Sequence, residues 1–269
     1  MDSYTDLPCP APHCIIPAGT MAKRSELLMR WVRDAGRFNF RRRGECRAIL
    51  RWLDARPGED ILDIGCGDGG YTAQVARRGA RVLGIDIHPR WLPFAQRCRG
   101  SERCAFVRMD AEKMDLADAS FDKVMSLCVI EHFGRDEAVL AHAARVLRPG
   151  GRLVFSADSL SNPGISERER ERHRRRYAVN SFYTKESVSP KLARAGFVAE
   201  RMCYILHRPV DLFLARLSWR LEDLPGWLIP LRVLGVILIW AAWAAALPFP
   251  GDEAKARGGL TLLVQARKK

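Results

Sequence analysis

Between residues 60 and 157 the chain alternates short aliphatic runs with segments of helical periodicity, and that alternation constrains the fold more than any other feature. Asp60–Ile64, Arg81–Asp86, Ala105–Met109, Phe121–Leu127 and Arg152–Ala157 read as strands, while Tyr71–Arg78, Arg90–Arg99 and Asp136–Leu147 read as helices. Strands separated by helices of this length pair in parallel through right-handed crossovers. A helix over Thr184–Ala195, a strand reaching Leu206 and a closing strand Leu260–Ala266 complete the pattern. The prediction is an α/β protein: a doubly wound, mostly parallel seven-stranded sheet with a C-terminal antiparallel strand and an inserted apolar helical segment.

Ahead of the sheet, apolar residues recur at helical spacing (Leu27, Leu28, Trp31, Val32, then Ile49, Leu50, Trp52, Leu53), so two basic amphipathic helices are expected within 23–56. Residues 1–22 are proline-rich and read as a loose tail, with no basic start and apolar core of a secretory leader, and an intracellular protein is expected. The main domain then comprises 23–206 and 258–269, and 207–257 is the insertion. Eight cysteines include no Cys-x-x-Cys pair, and several sit in apolar runs, which suits a reducing compartment and no structural zinc. Cys9, His13 and Cys14 lack a second paired cluster, so no metal is expected. The net charge of +13, mostly arginine, suits an anionic partner without choosing between nucleic acid and lipid headgroups.

The stretch ILDIGCGDGGY, Ile61 to Tyr71, ends the first strand in a glycine loop. Glycines at a strand-to-helix turn let the backbone bend tightly and approach a ligand. Gly65, Gly67 and Gly70 fit the dinucleotide spacing, which alone is weak evidence. Three carboxylates sharpen it: Asp63 inside the first strand, Asp86 ending the second and Asp110 ending the third. A pyrophosphate would be repelled by Asp63 and Asp68, whereas a cationic ligand with an ammonium tail would be favoured. Taken singly, Asp110 could instead cap the turn that follows it.

The ordered segments LDIGCGDGG, GIDIHP, VRMDAEKM, FDKVMSLCVIEHF and VLRPGGRLVFS resemble the successive motifs of the class I S-adenosylmethionine-dependent methyltransferases, most of all the small-molecule and quinone-type branch. The resemblance covers about Glu45 to Phe197 and the final strand. It implies a Rossmann-like sheet and S-adenosylmethionine as cofactor. It further implies that Asp63, Gly65, Cys66, Gly67 and Gly69 hold the methionine moiety, Asp86 and Ile87 the ribose and adenine edge, and Asp110 and Ala111 the adenine ring. Leu127 and Cys128 would line the pocket floor. Methyl transfer needs placement of the acceptor and, for a hydroxyl or acidic carbon, a base. His132 and Glu131, just beyond the fourth strand, are candidates, as are Tyr177 and Tyr183, in the region where relatives cover the acceptor. The run ERERERHRRRY, which contains His173, could equally be a solvated helix with Glu–Arg pairs.

Leu228 to Leu247 has twenty residues and one charge, Arg232. Its uncharged core, Val233 to Leu247, spans only about 22 Å as a helix, short of the roughly 30 Å hydrocarbon layer. The flanking strands must also share one sheet, so a single crossing is disfavoured. Two placements stay open. The insertion could lie in the membrane interface, with Asp211–Leu221 amphipathic and Trp219, Trp227, Trp240 and Trp243 at headgroup depth. It could instead pack on the domain or on a second copy as a lid or dimer interface. Either way an apolar wall suits a hydrophobic, lipid-like or isoprenoid acceptor, with peripheral contact through 209–250 on the cytoplasmic face of a membrane. Nucleic acid is set aside, because the aromatics cluster in apolar context and no RNA-binding module is visible. A non-catalytic cofactor-binding scaffold is the rival from another class.

Overall fold

The computed structural model describes residues 40–97, 103–225, 228–246 and 256–269. Their centre is a seven-stranded sheet in the order β3-β2-β1-β4-β5-β7-β6. The strands are β1 (Asp60–Ile64), β2 (Arg81–Asp86), β3 (Cys104–Arg108), β4 (Phe121–Leu127), β5 (Leu147–Asp158), β6 (Phe197–Ile205) and β7 (Thr261–Lys268). The β1–β2, β1–β4, β2–β3 and β4–β5 pairs are parallel, and β7 runs antiparallel to both β5 and β6. β1, β2 and β4 have the bounds read from the sequence. β5 starts five residues before the predicted Arg152, because Leu147 already pairs with Phe121 ahead of a register shift that takes up the Arg148–Gly151 bend.

The helices are α1 (Phe40–Leu53), α2 (Gly70–Ala76), α3 (Leu92–Arg97), α4 (Asp136–Val146), α5 (Glu167–Tyr177), α6 (Lys185–Arg194), α7 (Pro209–Glu222) and α8 (Ile229–Ala246). Side chains of a strand alternate between faces, so each central strand feeds two cores. Ile61 packs with Ile49, Trp52 and Leu92 of α1 and α3, while Leu62 and Ile64 pack with Val139 and Leu140 of α4 and with Leu192 of α6. Because helices cover both faces, β1 is buried at every position.

The chain leaves β1 toward β2 and β3 on one side and then returns to β4 on the other. That reversal opens a crevice at the carboxyl ends of β1 and β4, the place where open α/β sheets take ligands.

Helices α7 and α8 lie between β6 and β7. Leu212, Leu214, Ala215, Ile239 and Trp243 are buried in the α1-side core, and the Trp243 ring lies tilted against Phe40 with centroids 6.2 Å apart. Trp219 packs edge-on to His173 with ring centroids 5.6 Å apart. Trp243 therefore belongs to the interior, against the expectation that it sits at headgroup depth, while Trp219 is half-buried against His173; the backbone of Trp227 lies outside the described residues. The opposite face of the hairpin is bare, with Phe213, Leu231, Leu234, Ile237 and Leu238 each at least 50% exposed. Among the described residues no helix is long and apolar enough to cross a membrane. The first predicted basic helix, the tail and the Cys9–Cys14 segment fall outside the described residues.

Candidate active site

The loop after β1 turns on three glycines with left-handed backbone: Gly65 (φ +75°), Gly67 (φ +53°) and Gly69 (φ +74°). Their surroundings differ. A Cβ on Gly65 would lie 2.5 Å from both γ carbons of Val129, and one on Gly69 would lie 2.6 Å from Phe106 Cζ, so the fold itself demands glycine there. A Cβ on Gly67 would meet no heavy atom within 4 Å. The backbone at Gly67 thus borders open space. Its N–H donates to Asp86 Oδ2 at 2.9 Å, and the His88 N–H donates to Asp86 Oδ1 at 2.8 Å, so two amides fix the carboxylate at the tip of β2 beside the loop. Next to it Ile87 is 56% exposed, a bare aliphatic surface against which a planar ring can stack.

Asp63 is buried, and its Oδ2 accepts from Thr72 Oγ1 at 2.6 Å. Burial pushes its carboxyl up to about 7; the Thr72 hydrogen bond opposes this and the charge on Asp86 adds to it. A cation brought to the loop would favour the ionised form. Cys66 is a buried thiol raised by the same desolvation and packs beneath Gly84. At the tip of β3, Asp110 Oδ1 accepts from Glu112 N at 2.9 Å and caps a turn of 3-10 helix over Ala111–Lys113. Asp110 therefore has the capping role its position allowed, with its second oxygen turned from that bond.

A second polar group sits where β4 and β5 end. Cys128 follows β4 with φ 51°, its N–H bonded to Ser156 O at 3.0 Å and its Sγ 3.9 Å from Asp158 Oδ1. Asp158 Oδ1 accepts from Arg41 Nη2 at 2.6 Å, and Oδ2 lies 2.7 Å from His173 Nε2. Although burial works against ionisation, Arg41 and the His173 hydrogen bond hold Asp158 well below the usual carboxylate range. Glu131, also buried, accepts from Asp158 N through Oε1 at 3.3 Å, and its Oε2 has no partner among the described residues. Burial and the Asp158 charge push Glu131 up to about 8. The two neighbouring carboxyls are thus shifted in opposite directions, Asp158 down and Glu131 up, the pattern by which a site can separate acid and base roles. With Asp158 ionised, His173 donates to it through Nε2, and His173 Nδ1 is a buried atom without a partner among the described residues.

Glu45 completes the cluster, held by Arg42 Nη1 at 3.1 Å and Thr261 Oγ1 at 2.8 Å. The ligand-type atoms of Glu45, Cys128 and Asp158 all lie within 4.8 Å of one another. Arg41 and Arg42 supply the compensating charge, and burial keeps the Cys128 thiol protonated.

Asp63, Gly65, Cys66, Gly67, Gly69, Asp86 and Ile87 come together around the loop, and Cys128 and Glu131 meet at the β4 end. Leu127 is half-buried and packs on the α1-side core. His132 lies in a turn of 3-10 helix over Ile130–His132 and donates through Nδ1 to Ala178 O at 3.2 Å, tying two loops together. Tyr177 donates to Glu222 Oε2 at 2.5 Å, and its ring lies 4.5 Å from His173. Tyr183 is brought to neither group: its hydroxyl donates to Asp136, which also binds Lys191, within the core on the α4 and α6 face. Arg41, Arg42, Glu45 and Asp158 carry no local signature and were not anticipated. His173 helps to line a cavity of about 330 Å³ between α5 and α7.

Comparison with known proteins follows the same lines. Residues 62–155 match a family described as a methyltransferase domain. A demethylmenaquinone methyltransferase of Tropheryma whipplei (strain Twist) is 37% identical over 132 residues, 49% of this chain and 52% of that protein. A ubiquinone biosynthesis O-methyltransferase of Hahella chejuensis is 42% identical over 114 residues, 40% of this chain and 48% of that protein. The chain thus spans about half the length of these curated relatives. The solved phosphoethanolamine N-methyltransferase 2 of Haemonchus contortus, in complex with S-adenosyl-L-methionine, superposes with a TM-score of 0.63 at 21% identity, covering 83% of this chain and 52% of that one. An S-adenosylmethionine-dependent methyltransferase of Mesorhizobium loti does so with a TM-score of 0.60 at 20% identity, covering 84% and 98%. These two likenesses show the fold.

Proposed function

We propose that the chain is an S-adenosylmethionine-dependent methyltransferase, a reading supported by the match of residues 62–155 to a methyltransferase domain, and that it transfers a methyl group to a hydrophobic, lipid-like or isoprenoid small molecule at a membrane surface. The observation that carries the cofactor half is the open backbone at Gly67 beside the fixed Asp86 carboxylate and the bare Ile87. Those residues suit S-adenosylmethionine: Asp86 for the ribose hydroxyls, Ile87 and Asp110 with Ala111 for the adenine, Asp63 and Gly65 to Gly69 for the cationic methionine end. When bound, the cofactor supplies an activated methyl group on a sulfonium leaving group.

The protein's own part is placement and proton handling. Asp63 gives the loop a negative charge once a cation favours its ionised form. Asp158, paired with Arg41, orients His173 with its Nδ1 left unpartnered among the described residues, and Glu131, whose proton affinity is raised by burial and by Asp158, stands beside it as the candidate proton donor. Cys128 and the buried wall around it exclude water from the same edge. His132, anchored through Nδ1 to Ala178 O, stands as a second candidate base, while Tyr177 covers His173.

The membrane half rests on the bare face of α7 and α8. Phe213, Leu231, Leu234, Ile237 and Leu238 make a larger uncovered apolar stripe than scattered surface residues would. The quinone-directed names of relatives accord with a greasy acceptor. The test is a labelled-methyl assay against a total lipid extract, with titration of S-adenosylmethionine against the wild type and Asp86→Ala. Label in a lipid fraction and weakened binding in the variant are expected. Undiminished binding in Asp86→Ala removes the cofactor assignment, and failure to sediment with liposomes removes the membrane half.

A further inference from the structure

Two helix stripes face each other across the 330 Å³ cavity. Arg172 and Arg176 of α5 stand opposite Arg216 and Arg220 of α7, with Tyr177 and Trp219 as aromatic walls. Helix packing alone does not favour four guanidinium groups around one space, since like charges at this range repel. The carboxylates paired with them do not match them in number. Among the described residues Glu169 holds Arg216, and Glu222 and Asp223 hold Arg172 and Arg176, which leaves three acids for four cations. Several pairs are also open to water, with Arg172 64% and Asp223 38% exposed, so an incoming anion can displace them at little cost.

The outer side of α7 matters as much. Phe213 and Leu217 each lie three residues before Arg216 and Arg220, and both are exposed. Three residues turn a helix by about 300°, so the apolar stripe runs directly beside the arginine stripe and continues toward the bare face of α8. The inner wall of the cavity meets the site already described through His173 and its bond to Asp158.

We propose that this cavity binds the anionic head, a phosphate or a carboxylate, of an amphiphile whose apolar chain lies along Phe213 and Leu217. Planar guanidinium forks suit both oxyanions, and the volume fits a head group rather than a whole lipid. The inference rests on the acceptor reading above only in taking the bound molecule for the methyl acceptor.

The same head chemistry occurs in a free amphiphile and in a bilayer phospholipid, and the test separates the sources. Calorimetry on the full chain would use hexyl phosphate as a monomeric probe and hexyltrimethylammonium as its charge-reversed control. Cosedimentation would use phosphatidylcholine vesicles with and without phosphatidylglycerol. Hexyl phosphate should bind and the ammonium should not, and Arg176→Ala with Arg220→Ala should weaken the phosphate by about tenfold or more. If the double variant still sediments with phosphatidylglycerol vesicles, the head belongs to a free amphiphile; if sedimentation falls as well, the cavity takes the bilayer headgroup. Should the double variant melt early, Arg220→Gln at an exposed position keeps the test open, with a smaller loss in the same direction. Equal binding of both probes, or no effect of either variant on hexyl phosphate or on vesicles, overturns the proposal. Titration with S-adenosylmethionine runs alongside: its failure in the wild type removes the methyltransferase reading and leaves the anion result standing.

Discussion

Alanine at Gly65 and at Gly67 separates what the glycine loop does for the fold from what it does for a ligand. Both backbones are left-handed, which costs alanine about 1–2 kcal/mol. At Gly65 the added carbon also meets Val129 at 2.5 Å, and overpacking of this kind costs a further 1–3 kcal/mol or about that. Gly65→Ala should therefore lose about 2–5 kcal/mol, or about 4–20 °C in Tm for a domain of this size. Gly67→Ala meets nothing within 4 Å, so only the backbone cost applies and Tm should fall by about 2–8 °C. The ligand effect runs the other way. A methyl group at Gly67 intrudes on the space assigned to S-adenosylmethionine, and about 1–3 kcal/mol of crowding weakens binding about 5- to 150-fold. Differential scanning fluorimetry and calorimetry with the cofactor read the two effects. Gly67→Ala binding within twofold of wild type would refute the placement of the cofactor at this loop.

Asp63 holds its proton to about pH 7 when folded and to about 4 when unfolded, so the native state binds more protons between those values and stability falls as pH rises through them. Asp63→Asn should flatten that slope and raise the urea midpoint above pH 7 while weakening S-adenosylmethionine; parallel pH curves would contradict the burial argument. Tyr183→Phe strands the Asp136–Lys191 pair and should cost about 1–3 kcal/mol with cofactor affinity unchanged. Lost turnover with an unmoved Tm would restore Tyr183 as a catalytic candidate. Leu234→Glu with Leu238→Glu, on exposed positions, should abolish sedimentation with anionic liposomes and leave Tm nearly unmoved. Retained sedimentation would exclude the α8 face as the contact.

The sheet is legible in the sequence because β1 and β2 are short, largely aliphatic runs closed by a glycine and an acid. Ile61 to Ile64 and Val82 to Ile85 could hardly be read otherwise. The start of β5 was hidden by Pro149 and Gly150, which signal a turn although the backbone there stays alongside β4. The acids Asp63, Asp86 and Asp110 are visible for a related reason, since one interrupts the first run and the other two stand at or just past the ends of the second and third. The Asp158 cluster was not visible, because Arg41, Glu45, Asp158, His173 and Thr261 meet only through packing across as many as 216 residues of sequence. Arg41 and Arg42 read as one more pair of charges on a basic helix. Trp243 was misplaced because α8 is apolar nearly all round, so that its sequence does not tell the face against Phe40 from the face left bare.

Helix α1 reaches the mouth of the crevice, where Arg41 binds Asp158 and Glu45 meets Thr261 from the last strand. The matched region 62–155 contains none of these four residues. That region also begins inside β1, leaves out β6 and β7, and lacks the neighbours Arg42 and Asp158 that set the proton affinity of Glu131. The edge of the crevice beyond the glycine loop is thus built by helix α1 and strand β7, and changes at Arg41 or Thr261 should disturb a transfer before they disturb binding at the loop.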